Sequence, residues 1–180
     1  MLQKIHRIVT GHNGAGKATI LLNDHAPNAT PIKGWPGLGV TEIWVTDEMP
    51  VDNHGDKDRS LRPMRHDPTP SGTIFRVVEI PPESADTKID AAATFGQLGS
   101  TNKPSAADFA KHPTMHKTDS IDYLVVISGS MHMLMEKGEV ELHRPARHQP
   151  CLGQPQRQTP PACRRTDRRQ AGTMSKSGAP

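Results

Sequence analysis

Two side chains stand close enough in the sequence, and differ enough in type, to share chemistry: the imidazole of His116 and the carboxylate of Asp122. Thr118 lies between them. Side chains an even number of positions apart on a strand point to the same side, so 116, 118 and 122 would face one way. Imidazole nitrogen with carboxylate oxygen suits iron, manganese, nickel or zinc, so the pair is a candidate for one divalent transition metal. The hydroxyl of Thr118 is a far poorer ligand. With Tyr123 and His132 it is a candidate for contacting a substrate instead. The alternative reading of the pair is ordinary: two hydrogen-bonded polar residues at the mouth of a sheet.

These residues need strands to hold them, and the surrounding sequence predicts them. Tyr123 to Ile127 is a β-branched apolar run closed by Ser128-Gly129. Met131 to Met135 follows, then a turn at Lys137-Gly138, then the alternating segment Glu139 to His143. Three strands joined by glycine turns predict an antiparallel meander. Upstream, Lys4 to Thr10 and Ala18 to Leu22 flank a glycine-rich turn and predict a hairpin. Leu38 to Thr46 predicts a strand with Val40, Glu42 and Trp44 on one face and Leu38, Ile43 and Val45 on the other. Thr73 to Ile80 predicts another, stopped by Pro81-Pro82. Ala85 to Leu98 is the one segment with a helical stripe. Segments 23–36 and 47–71 are polar, proline-punctuated loops, and 103–111 is a linker. Strands dominate with one short helix, so the fold class is all-β, a sandwich or barrel.

The turn Gly11 to Lys17 spells G-x-x-x-x-G-K, most of a phosphate-binding loop. The next position, which should carry a magnesium-binding hydroxyl, is Ala18. No long helix follows, as the motif requires. A hairpin turn is the better reading.

The 180 residues suit one domain, and 17 prolines with 15 glycines favour turns over long helices. There is no long apolar run and no apolar leader, so neither a membrane span nor a secretory signal is expected. The only cysteines, Cys151 and Cys163, give no disulfide framework, and the expected compartment is the cytoplasm. Charge divides the chain. Residues 144–180 hold eight basic side chains against one acid, Asp167, whereas 1–143 is mildly acidic. The expected organisation is therefore a β domain over 1–143 and a Pro/Arg-rich disordered tail over 144–180. Such a tail could bind nucleic acid through its charge, but it has no aromatic residue to stack on bases, so nucleic acid is not the expected partner.

With these residues in view, the stretch from His116 to Gly129 resembles the first motif of the cupin superfamily. That motif runs His-x-His, three or four residues, Glu, six residues, Gly. Here it reads His116-Lys117-Thr118, then Asp122, then Gly129. The spacing matches, with Thr118 replacing the second His and Asp122 the Glu. VTGHNGAGKATILL, GLGVTEIWVTDEMP and GTIFRVVEIPPES also look like the N-terminal half of single-domain cupins, so the resemblance covers about residues 4–143. It implies a jelly-roll β-barrel binding a small-molecule ligand in its lumen, commonly a homodimer. It also implies either a protein of unassigned activity or a metal-dependent dioxygenase, decarboxylase or cyclase acting on an aromatic or polyketide-like compound.

The second cupin motif, which in this subfamily contains R-G-T-N-H-A-W, is not present. The tail has Leu152 as its only aliphatic residue larger than Ala and cannot supply closing strands. Read one nucleotide forward within codon degeneracy, residues 149–154 can encode N-H-A-W-A-N, and 163–170 can encode A-V-V-L-I-D-A-K. The barrel is thus expected to be C-terminally incomplete, its last motif lost by frameshift or mis-splicing.

Overall fold

A computed structural model describes residues 1–84, 86–100 and 104–144. The tail, apart from Arg144, lies outside them, and so do the expectations that fall on it. The chain order is β1 (His6–His12), β2 (Ala18–His25), β3 (Ala29–Pro31), β4 (Gly39–Thr46), β5 (Thr73–Glu79), α1 (Ala91–Gln97), α2 (Ala106–Lys111), β6 (Ser130–Leu134) and β7 (Glu139–His143).

Strands dominate, as expected, but among the described residues they form three separate antiparallel sheets: β1-β2, β3-β4-β5 and β6-β7. Among the described residues no sheet closes into a barrel. Three details correct the sequence reading. A second helix, α2, occupies the supposed linker and is held by a capping box in which Ser105 and Asp108 bond each other's backbone amides. A short strand, β3, lies inside the supposed loop and pairs with β4. Finally, 121–127 is not a strand, so the meander is a two-stranded hairpin. A strand exists by pairing, and among the described residues this apolar run meets no ladder.

The first hairpin turns on Asn13. Its side-chain oxygen accepts from the amides of Ala15 and Lys17, both at 3.0 Å. Gly16 adopts φ +70°, where glycine alone is unstrained. Amides that a phosphate would need are thus already used within the turn.

Strand β4 is central and buried along almost its whole length. Val40 joins Ile32, Trp35, Leu38 and Leu98 in the main apolar cluster, with Met64 and Ile89 packed against it. Helix α1 starts at Asp90, whose carboxylate accepts from the Ala93 amide at 2.9 Å. It docks through the Asp90 amide, which donates to the Gly34 carbonyl at 2.7 Å. A Cβ on Gly34 would lie 2.3 Å from the Asp90 carbonyl oxygen, so only glycine permits this approach.

A bulge at Ile43 interrupts the β4-β5 register: Glu42 pairs with Arg76, but Trp44 pairs with Phe75. Phe75 and Arg76 are consecutive and face opposite ways. The bulge therefore moves Trp44 off the Glu42 face, correcting the simple alternation predicted for this strand. Val40, Glu42 and Arg76 keep a common face, over which the candidate site is built.

A second network fixes the hairpin to this sheet. Arg7, 4% exposed, donates to Asp24 (2.8 Å), to the Ile43 carbonyl (3.1 Å), to Ser60 Oγ (2.9 Å) and to Asp58. One guanidinium thereby joins β1, β2, the carbonyl at the bulge and the 47–71 loop.

Candidate functional site

The polar centre is Glu42, whose side chain is wholly buried. Asn28 Nδ2 donates to it at 3.2 Å and Arg62 Nη2 approaches at 3.3 Å. Arg76 Nη2 reaches its other oxygen at 3.5 Å. Burial pushes the Glu42 carboxyl up, and the charges of Arg62, Arg76 and Arg65 pull against that. Arg76 also donates to the carbonyls of Arg65 (2.9 Å) and His66 (3.2 Å), pinning this loop over the sheet. Its pKa is lowered first by burial, with Glu42, Asp122 and Asp67 opposing.

His66 continues the site. Its Nδ1 lies 2.7 Å from Asp67 Oδ1. Burial is the main cause holding its pKa below the ordinary histidine value; Asp67 opposes, and His116 and Arg76 add to the lowering. Its ring meets Phe95 of α1 edge-on at 5.5 Å and His116 at 4.6 Å. His116 also meets Phe95 at 5.3 Å. The His116 Nδ1 is 2.7 Å from the Thr114 carbonyl. A carbonyl only accepts, so Nδ1 carries the proton, and in the neutral ring Nε2 holds the lone pair.

The predicted residues are distributed unevenly. His116 is joined to the His66–Phe95 group. Asp122 is exposed, bonded by Ser120 Oγ at 3.3 Å, and its charge acts on Arg76. Thr118 bonds Ser120 at 2.9 Å. Tyr123 is 96% exposed, and His132 is exposed on β6 beside Glu139 at 3.6 Å. Neither is joined to the group. No hydrogen bond or ion pair links His116 to Asp122. Among the described residues no three His, Cys, Asp or Glu side chains gather as a metal-binding set. As placed, His116 and Asp122 do not by themselves make a complete metal site.

Sequence reasoning missed Glu42, Arg62, Arg65, His66, Arg76 and Phe95 as site residues. Only Glu42 had a signal, as the one charged residue of the apolar run that forms β4. Two surface pockets of about 590 and 470 Å³, one including Leu2, Pro31 and Gly37 and the other His12, Gly14 and Asn53, contain none of the predicted site residues. Among the described residues no helix is long and apolar enough to cross a membrane.

No protein-family model matches the chain. A curated relative, the cupin-domain-containing oxidoreductase virC of Hypocrea virens, is 23% identical over 145 residues. The match covers 79% of this chain and 60% of that protein. The chain therefore spans less than two thirds of the length of this relative. This distant similarity agrees with the motif in pointing to a cupin relationship, and the β-rich fold is consistent with it.

Proposed function

We propose that this chain is a cupin-type domain, related to the jelly-roll barrels, that binds a small molecule over the Glu42–Arg76 face of the β4-β5 sheet. The observation that carries the reading is the contact between His116 and the His66–Phe95 pair, directly beside Arg76. It joins the segment with cupin spacing to the Glu42–Arg76 face of the central sheet. The site offers edge-on rings for a flat ligand, an imidazole Nε2 for a hydrogen bond or proton, and guanidinium groups for charge.

Ring NMR signals of the histidines test this. Adding a binding small aromatic compound should shift the His66 and His116 signals together. A ligand that shifts neither, while perturbing residues elsewhere, would overturn the proposal.

A second reading, a metal-dependent enzyme, is favoured by the relative's description as an oxidoreductase. Under it, His116 and Asp122 supply ligands, and a divalent iron, manganese, nickel or zinc ion would supply Lewis-acid or redox chemistry. Stoichiometric transition metal in the purified chain, lost on His116→Ala, would support it; its absence after metal reconstitution would sink it.

A further inference from the structure

We propose that Arg62, Arg65 and Arg76 form an anion-recognising end to this site, and that its ligand class is a small aromatic carboxylic acid bound as the carboxylate. The proposal rests on the ligand-site reading above and adds the ligand's chemistry. Three guanidinium groups cluster around one buried carboxylate. Arg62 and Arg76 both approach Glu42, and the charge of Arg65 also acts on it. Arg65 is anchored by Asp47 at its Nη2.

The Nε of Arg62 and the Nε of Arg65 are both buried, and neither has a hydrogen-bond acceptor. A buried N–H left without an acceptor costs about 1–3 kcal/mol, and a charged one costs more. A carboxylate offers two oxygens and about four lone-pair positions to such donors. The rings of His66 and His116 stand 4.6 Å apart and both pack on buried Phe95, and the exposed ring of His116 offers a surface for the flat half of the ligand.

The acids nearby take up part of the positive charge. Glu42 stays at the centre, Asp67 is committed to His66 and Asp47 to Arg65. Asp122, exposed and held only by Ser120, is the acid left to compete for Arg76. The preference over phosphate rests on the ring contacts, which phosphate cannot make.

Calorimetric titration of the full chain with benzoate, its neutral isostere benzamide, and inorganic phosphate at fixed ionic strength tests the assignment. Benzoate should bind at least about tenfold tighter than benzamide and tighter than phosphate, as charge-assisted bonds to buried donors predict. Arg65→Gln, chosen because Arg65 is the arginine not bonded to Glu42, should abolish that preference. Should it unfold the chain, Arg65→Lys, which keeps a cation facing Asp47 but removes the buried Nε, should lose most of that preference. Asp122→Asn should tighten benzoate, the opposite of a metal ligand's loss. Equal affinity for benzoate and benzamide, preference for phosphate, or no benzoate binding overturns the acid class. Equal binding of both aromatic probes, lost on His116→Ala, would leave the ligand-site reading standing while the acid class fails.

Discussion

The ring of His116 stands 4.6 Å from that of His66, nearly perpendicular to it at 71°. This places the motif segment against the loop that Arg76 pins to the sheet. It also makes His66 a pH-sensitive part of the fold. Burial lowers its pKa, His116 and Arg76 lower it further, and Asp67 pulls the other way. A base whose folded pKa lies below its unfolded value near 6.5 binds fewer protons when folded. Its contribution to stability is therefore full above about pH 6.5 and is lost as pH falls through the lowered folded value. Melting temperature should decline across this window, and His66→Gln should flatten the decline. An unchanged slope in the variant would refute the assignment.

Arg7 predicts a larger effect. It is buried with Asp58 and bonded to Asp24, Ser60 and the Ile43 carbonyl. Removing one partner of a buried ion pair leaves the other uncompensated, so Arg7→Ala should cost about 3–5 kcal/mol in denaturant unfolding. For Asp58, burial raises the carboxyl pKa, but hydrogen bonds from Arg7 and Ser60 outweigh it and hold the value low. That contribution is present above about pH 4 and is lost as pH falls through the lowered value. Asp58→Asn should remove this acid-range loss; a variant with the wild-type acid profile would refute it.

The turn at Asn13 makes a separate prediction. Its side chain holds the Ala15 and Lys17 amides, so Asn13→Ala should destabilise the hairpin by about 1 kcal/mol. Lys17→Ala should leave stability nearly unchanged. Neither the chain nor either variant should bind ATP with magnesium in equilibrium dialysis. Binding by the wild type would restore the phosphate-loop reading.

How much of this was legible in the sequence depended on whether the signal was local. The β1-β2 hairpin followed from alternation around a glycine turn, and β4 and β5 from β-branched runs ended by loop residues. Strand β3 was hidden because its three residues end in Pro31 and gain their ladder only from β4. Helix α2 did have a signal, Ser105-x-x-Asp108, but its six residues show no buried face to support one. Helix α1 was placed too early, since Asp90, not Ala85, caps it. The site was least legible. Spacing alone marked His116, but its partners come from the 60–66 loop, α1 and β5, whose convergence is a property of packing. The bulge at Ile43 compounds this, because one inserted residue decides which side chains of β4 face Arg76.

The apolar run at 121–127 carries a prediction about association. Ile121, Tyr123, Val125 and Ile127 are each more than 60% exposed, and Leu134, Met135 and Val140 on or beside the β6-β7 hairpin are exposed too. A run of β-branched residues without ladder partners is a template for pairing between chains. The expected homodimer would use it, and sedimentation should show concentration-dependent association that Val125→Lys weakens. A wild-type chain that stays monomeric at all concentrations would count against this surface.

The same exposed run bears on the reading frame after His143. The tail's composition does not suit covering an apolar surface: Leu152 is its only aliphatic residue larger than Ala, and eight of its residues are basic. Burying exposed aliphatic side chains is worth about 1.5–3 kcal/mol each, so a protein with an apolar strand there would be markedly more stable. The shifted frame can encode such a strand, A-V-V-L-I-D-A-K, after a segment N-H-A-W-A-N that holds the histidine missing from the second motif. The transcript across codon 143 should then carry the shifted frame in at least one spliced form. The encoded protein should melt at higher temperature than the 180-residue chain and bind less of a hydrophobic dye. A message that encodes only the Arg-rich tail, in frame and without alternative splicing, would sink the frameshift and leave self-association as the way this surface is covered.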